Sequence, residues 1–290
     1  MRFPLLAILL VLVGVLLGEY LVGADDEGVA AHTGGPQARD PSSEWEGKLF
    51  VDHRGRIASA CPPDGLVILV LGQSNAANTV GGRFRSRRGA VNWFDRKCYP
   101  AEGPMLGSDG TSGSIWPLVG DALIEAKAAS SVTFASLTLG GTSAHQWADP
   151  GGIGALLRRR LQAFKSGGLD VAVVLWQQGE ADPLTPIESY RTDLQAVFDL
   201  VRSTYPHASF VVAQASLCSA TPSRPALLHA QSSLAGTLPG PNTDLLNDYS
   251  DRYDGCHFSE SGGRKLAQAW SAALQAALVS QHLGQPRGAP

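Results

Sequence analysis

Four short groups of residues, far apart in the chain, carry the side chains that acyl transfer requires. They are Gly72-Gln73-Ser74-Asn75, Gly140-Gly141-Thr142-Ser143, Gln177-Gln178-Gly179-Glu180-Ala181-Asp182 and Asp254-Gly255-Cys256-His257. A serine hydroxyl is a weak nucleophile and needs a base within hydrogen-bond reach. The base is usually an imidazole held in one tautomer by a carboxylate. The developing oxyanion needs donors already aimed at it. Ser74 offers the hydroxyl, His257 the base and Asp254, three residues upstream, the orienting carboxylate. On a loop or first helical turn that spacing lets the two side chains meet. The N–H groups of Ser74 and of Gly140 or Gly141, with the side-chain amide of Gln178, are the candidate oxyanion donors. Gln73, Asn75, Glu180, His145 and Trp147 are candidates for support or for the substrate pocket.

Each residue also has a plainer reading. Ser at a strand–helix turn is most often a cap, and Asp254 could simply stabilise a turn. His145 and His229 rival His257 but have no Asp or Glu at close upstream spacing. Glu180 and Asp182 resemble a glycosidase carboxylate pair; Glu180 is expected instead to brace the site by accepting backbone N–H groups. His145 and Trp147 either line the pocket or pack under a loop. Arg83, Arg85, Arg87 and Arg88 read as a solvated basic face.

The elements that must position these groups alternate. Strands are expected at Leu66–Leu71, Val132–Leu139, Val171–Trp176 and Phe210–Ala213, mostly as continuous apolar runs. Such runs mark strands covered on both faces, as in parallel sheets. Helices are expected at Pro117–Ala129, Ile153–Phe164, Pro186–Thr204, Pro225–Leu234 and about Ser259 to Leu278. In the last, Leu266, Trp270, Leu274 and Leu278 form one apolar stripe, with Ser259 as its cap. Alternating strands and helices predict a three-layer doubly wound α/β fold with a parallel sheet of about five strands. Ligands then bind at the carboxyl ends of the strands, which is where three of the four groups fall.

With these residues in order, the chain resembles the SGNH/GDSL hydrolase superfamily. It is most similar to the branch of sialate O-acetylesterase-like proteins and acetylxylan esterases of carbohydrate esterase family six. The resemblance rests on Gly-Gln-Ser-Asn at 72–75, Gly-Gly-Thr at 140–142, Gln-Gly-Glu-x-Asp at 178–182 and Asp-x-x-His at 254–257, and it covers nearly all of residues 48–280. It implies a flavodoxin-like fold, Ser74 as nucleophile, Asp254 and His257 as its partners, and an oxyanion hole of the Ser74 amide, a glycine of the second block (Gly140 preferred, with the register open by one) and Gln178, which replaces the Asn usual in the third block. It implies no metal and no cofactor, and a small acetylated substrate, a glycan above all. Two other readings remain: a carbohydrate-binding protein of little turnover on an esterase fold, and a lipase-like esterase for long acyl chains.

The net charge of −3 makes no electrostatic case for nucleic acid. Arg2, the apolar run Phe3 to Leu17, the small residues Val22-Gly23-Ala24 and the acidic Asp25-Asp26-Glu27 follow the order of a secretory signal. The alternative is an uncleaved anchor, against which Glu19 counts. The expected organisation is signal 1–24, flexible tether 25–45 and esterase domain 46–290, outside the cytoplasm. Four cysteines in an exported chain favour disulfides, with three pairings open. Cys61–Cys98 and Cys218–Cys256 are preferred, because Cys218 follows the fourth strand, whose end should neighbour the loop holding Cys256.

Overall fold

A computed structural model describes residues 40–49, 52–219 and 221–284. The expected signal, and most of the expected tether, lie outside these residues. In chain order the elements are α1 (Ser43–Lys48), β1 (Leu66–Gly72), β2 (Val91–Phe94), β3 (Lys97–Pro100), α2 (Trp116–Glu125), β4 (Val132–Thr138), α3 (Ala144–Ala148), α4 (Gly152–Ser166), β5 (Val173–Gln177), α5 (Ile187–Thr204), β6 (Ser209–Gln214), α6 (Pro225–Ser232), β7 (Leu238–Asn242) and α7 (Glu260–Gly284).

The strands form one seven-stranded sheet in the order β3-β2-β4-β1-β5-β6-β7. All neighbours are parallel except β2 and β3, which form an antiparallel hairpin at one edge. The doubly wound parallel fold is as expected; the strands β2, β3 and β7, toward the two edges of the sheet, were not. Residues Asp95 and Arg96 turn the β2–β3 hairpin with φ of 48° and 60°. Such turns are usually marked by Asn-Gly or Asp-Gly, a signal absent here. The β7 sequence, Leu-Pro-Gly-Pro-Asn, is one that an edge strand tolerates and a central strand does not.

Period-two alternation sorts the buried strand residues into two cores. Leu69, Leu71, Val174, Trp176, Phe210 and Val212 pack with α4, α5 and α6. Ile68, Val70, Val173, Leu175, Val211 and Ala213 pack with α2 and α7. Leu266, Trp270, Leu274 and Leu278 are all buried, so the predicted stripe is the face that α7 lays on the sheet. Ser259 caps α7, its Oγ accepting the Gly262 N–H at 3.1 Å. Both preferred disulfides, Cys61–Cys98 and Cys218–Cys256, are present.

The last residues of the expected tether are packed rather than loose. Asp40 pairs with Arg159 at 2.7 Å, Ser42 is buried, and Glu46 pairs with Arg160 at 2.8 Å. These contacts hold α1 on α4, so residues 40–45, expected in the tether, pack against the domain.

Candidate active site

Strand β1 is central and ends one residue before Gln73. Gly72 has φ +138°, and a Cβ there would sit 2.1 Å from the Gln177 carbonyl oxygen. Only glycine lets β1 end this close to β5. The chain then turns into a short 3₁₀ segment, Ser74–Ala76, fully buried. The backbone N–H groups of Ala76 and Ala77 donate to the Gln73 carbonyl, while the Ser74 N–H has no partner among the described residues.

Ser74 lines a cleft of about 480 Å³ with Gln73, Thr79, Asp109, Gly110, Gly140, Gly141, Glu180, Ala181, Cys218, Cys256 and His257. All four sequence groups therefore reach one cleft. His257 Nδ1 lies 2.6 Å from Asp254 Oδ2. Asp254 Oδ1 also accepts the Cys256 and His257 N–H groups at 2.9 and 2.6 Å. Partial burial opposes ionisation of Asp254, but the hydrogen bonds from His257 and Cys256 outweigh it and hold the carboxyl below its ordinary value. An ionised Asp254 on Nδ1 puts the imidazole proton there and leaves Nε2 as the basic nitrogen. No direct hydrogen bond joins Ser74 to His257; such contacts commonly tighten only with substrate bound.

Several ties hold the base loop against the nucleophile turn. Asn75 Nδ2 donates to Glu180 Oε1 at 2.8 Å and to the Cys256 carbonyl at 3.2 Å. Tyr253 stacks on the His257 ring, centroids 5.9 Å apart. Its hydroxyl donates to the Thr79 carbonyl at 3.0 Å, and Thr79 Oγ1 donates to the Ser74 carbonyl at 2.6 Å. The Cys218–Cys256 bond joins the same loop to the segment after β6. Arg252 is buried beneath it and donates to the carbonyls of Leu246, Leu217, Cys256 and Thr243.

Other expected residues fall elsewhere. Gln178 is fully buried and does not line the cleft. Its Nε2 donates to the Thr142 carbonyl at 3.0 Å, to Gln73 Oε1 at 3.3 Å and to Asp182 Oδ2, while its Oε1 accepts the Tyr190 hydroxyl at 3.2 Å. In this conformation Gln178 braces three loops and is not placed as an oxyanion donor. An amide one methylene longer than Asn reaches past the cleft to these partners. Gly140 lines the cleft, but its N–H donates to Asp109 Oδ2 at 2.9 Å. The neighbouring Gly141, at φ +69° with nothing within 4 Å of a Cβ, has a backbone N–H without a partner among the described residues. Gly140 is the glycine preferred from the sequence, with the register open by one residue, but Gly141 is the one whose donor is free.

Glu180 does line the cleft and braces it through the Asn75 side chain, and its own backbone N–H also donates to the carboxyl. Burial pushes its carboxyl above the ordinary value, against the Asn75 hydrogen bond. Asp182 is buried and accepts from Ala144 N at 3.0 Å and Thr185 Oγ1 at 2.7 Å, so the two carboxylates do not act as a pair across the cleft. His145 lies on the surface, 3.4 Å from Asp193, and Trp147 is core. Trp147 supports the second group from below, its Nε1 donating to Thr142 Oγ1 at 2.8 Å. Neither lines the cleft. In the arginine cluster, Arg85 pairs with Glu102 and Arg88 with Glu125 at the surface. Residues that sequence reasoning missed are Thr79, Asp109 and Tyr253. Asp109-Gly110 reads only as a turn, and nothing in its spacing points to Ser74.

No helix among the described residues is long and apolar enough to cross a membrane, and these residues form no His/Cys/Asp/Glu group that could hold a metal ion. Comparison with solved structures finds a protein of Arabidopsis thaliana, 16% identical, with a TM-score of 0.59 over 75% of this chain and 99% of that one. The two share a fold. Also similar are a family 3 carbohydrate esterase of Clostridium thermocellum (16% identity, TM-score 0.47, 74% and 98% covered) and a carbohydrate acetylesterase from Xanthomonas citri (14%, 0.47, 74% and 57%). No curated protein matches the sequence. The family described as carbohydrate esterase, sialic acid-specific acetylesterase matches residues 117–276, more than half of the chain, and to that family of carboxylic ester hydrolases this chain belongs.

Proposed function

We propose that this protein is a serine acetylesterase that removes O-acetyl groups from a carbohydrate. The observation that carries the reading is the 2.6 Å contact of His257 Nδ1 with Asp254, on a loop that shares its cleft with Ser74. His257 Nε2 takes the Ser74 proton as Oγ attacks the acetyl carbonyl. The oxyanion is met by the N–H groups of Ser74 and Gly141. His257 then gives its proton to the sugar oxygen as the C–O bond breaks. Water, deprotonated by His257, attacks the acyl-serine and releases acetate and free Ser74. Asp254 remains ionised and stabilises the imidazolium throughout.

The test is hydrolysis of 4-nitrophenyl acetate by wild type and Ser74→Ala. The expected loss in kcat is at least about 1,000-fold with an unchanged melting temperature. Equal activity in the two proteins removes Ser74 from the role. Retention of the ordered Asp254–His257 pair beside Ser74 favours turnover over the binding-only alternative.

The same reading places the protein outside the cytoplasm. Residues 1–24 serve as the export signal, and the two disulfides are stable in an oxidising compartment.

A further inference from the structure

The cleft is lined by two carboxylates that the acyl-transfer scheme does not use, Glu180 and Asp109. Glu180 is buried and braces Asn75; Asp109 has no such part. Asp109 sits on the long connection between β3 and α2 and lines the cleft beside Ser74. It is held in place twice. Oδ1 accepts the Gly110 N–H at 2.7 Å and Oδ2 accepts the Gly140 N–H at 2.9 Å. Its backbone is fixed as well, Asp109 N–H donating to Thr138 and its carbonyl accepting from Asn78, both at 2.9 Å. A Cβ placed on Gly140 would lie 3.1 Å from Asp109 Oδ2 and 3.8 Å from Ser74 Cβ, so the carboxylate and the nucleophile both border Gly140.

No positive side chain balances it. Among the residues lining the cleft there is no Lys or Arg. Arg252, the nearest buried cation in the base loop, directs its guanidinium at four backbone carbonyls. Arg83 donates to the Thr111 carbonyl from an exposed position and does not line the cleft. An anionic group on a substrate would therefore enter a cleft lined by the carboxylates of Asp109 and Glu180, with no Lys or Arg and with His257 as its one basic side chain. Like charges brought into one cleft disfavour binding.

We propose that Asp109 is a specificity-determining residue that selects acetyl esters carrying no negative charge near the ester: neutral or amino sugars rather than sialic acids. A sialic acid carries a carboxylate, so the proposal sets this chain apart from the substrate in its family's description. It rests on the acetylesterase reading above and narrows its substrate class.

The experiment compares kcat/KM for phenyl acetate and 3-carboxyphenyl acetate, each normalised to its hydroxide-catalysed rate. Wild type is expected to favour the uncharged ester by about tenfold or more at low ionic strength, narrowing at high salt. Asp109→Asn, which keeps a hydrogen-bond acceptor for Gly140, should raise the anionic-to-neutral ratio about tenfold and remove its salt dependence. Asp109→Glu, which keeps the charge, should retain the preference of wild type. A role confined to bracing Gly140 would lower both rates and leave the ratio unchanged. The proposal is overturned if wild type shows no preference, or if Asp109→Asn leaves the ratio as it was. Should Asp109→Asn fail to fold, the salt dependence of the wild-type ratio decides: a ratio independent of salt overturns the proposal. Failure of wild type to hydrolyse either ester is a separate result that rejects the esterase reading itself.

Discussion

Replacing Gln178 by Met removes an amide on which Thr142, Asp182, Gln73 and Tyr190 all converge. The side chain is fully buried, so these partners have no solvent to turn to. The expected cost is about 1–3 kcal/mol of stability for buried polar groups left unmade, read by urea denaturation. The kinetic effect distinguishes a brace from an oxyanion donor, whose loss costs about 100- to 1,000-fold in kcat. Gln178→Met should lose less than that under conditions where it is folded. A loss of about 1,000-fold with native stability would place Gln178 back in the oxyanion hole. The same contrast applies to Asn75, whose amide joins Glu180 to the base loop instead of facing substrate.

At the scale of elements, the base loop between β7 and α7 has little regular structure of its own and depends on its fastenings. The Cys218–Cys256 bond closes 38 residues of sequence separation. Removing it with Cys218→Ser and Cys256→Ser together should lower stability by about 4 kcal/mol through chain entropy. Activity should fall further than this loss of folded protein explains, because Cys256 adjoins His257. Full specific activity in the folded double variant would show that Arg252, Asn75 and Tyr253 hold the loop unaided. The partner strand β7 was illegible because two prolines and a glycine argue against any strand, and only pairing with β6 makes one. Hairpin β2–β3 was illegible for a related reason: four-residue strands carry too few alternations to reveal a period.

For the molecule as a whole, Glu180 makes stability depend on pH. Burial raises its carboxyl above the ordinary value, so the folded state holds this proton more tightly than the unfolded chain. The contribution is complete below about pH 4.5, the unfolded value, and is lost as pH rises through the folded one. Glu180→Gln keeps an acceptor for Asn75 and removes the ionisation. Its melting temperature should exceed that of wild type by a margin that grows from pH 4 to pH 8, measured by calorimetry. A margin constant across that range would show that Glu180 does not carry the dependence. Asp254 acts in the opposite sense, its lowered carboxyl contributing stability that is lost only in acid.

The sequence alone determined the central strands, because continuous apolar runs between helical segments have few other solutions than a parallel sheet. It also determined the pairing of Asp254 with His257, since three residues in one loop keep the two in reach. Contacts across the sheet edge were decided only by tertiary structure. Gln178 and Gly140 have the right types in the right places. Yet whether an amide or an N–H faces the cleft depends on which neighbour claims it first, here Asp182 and Asp109. Those neighbours stand 4 and 31 residues away in the chain. Side-chain direction at a loop carries no period that could announce the choice.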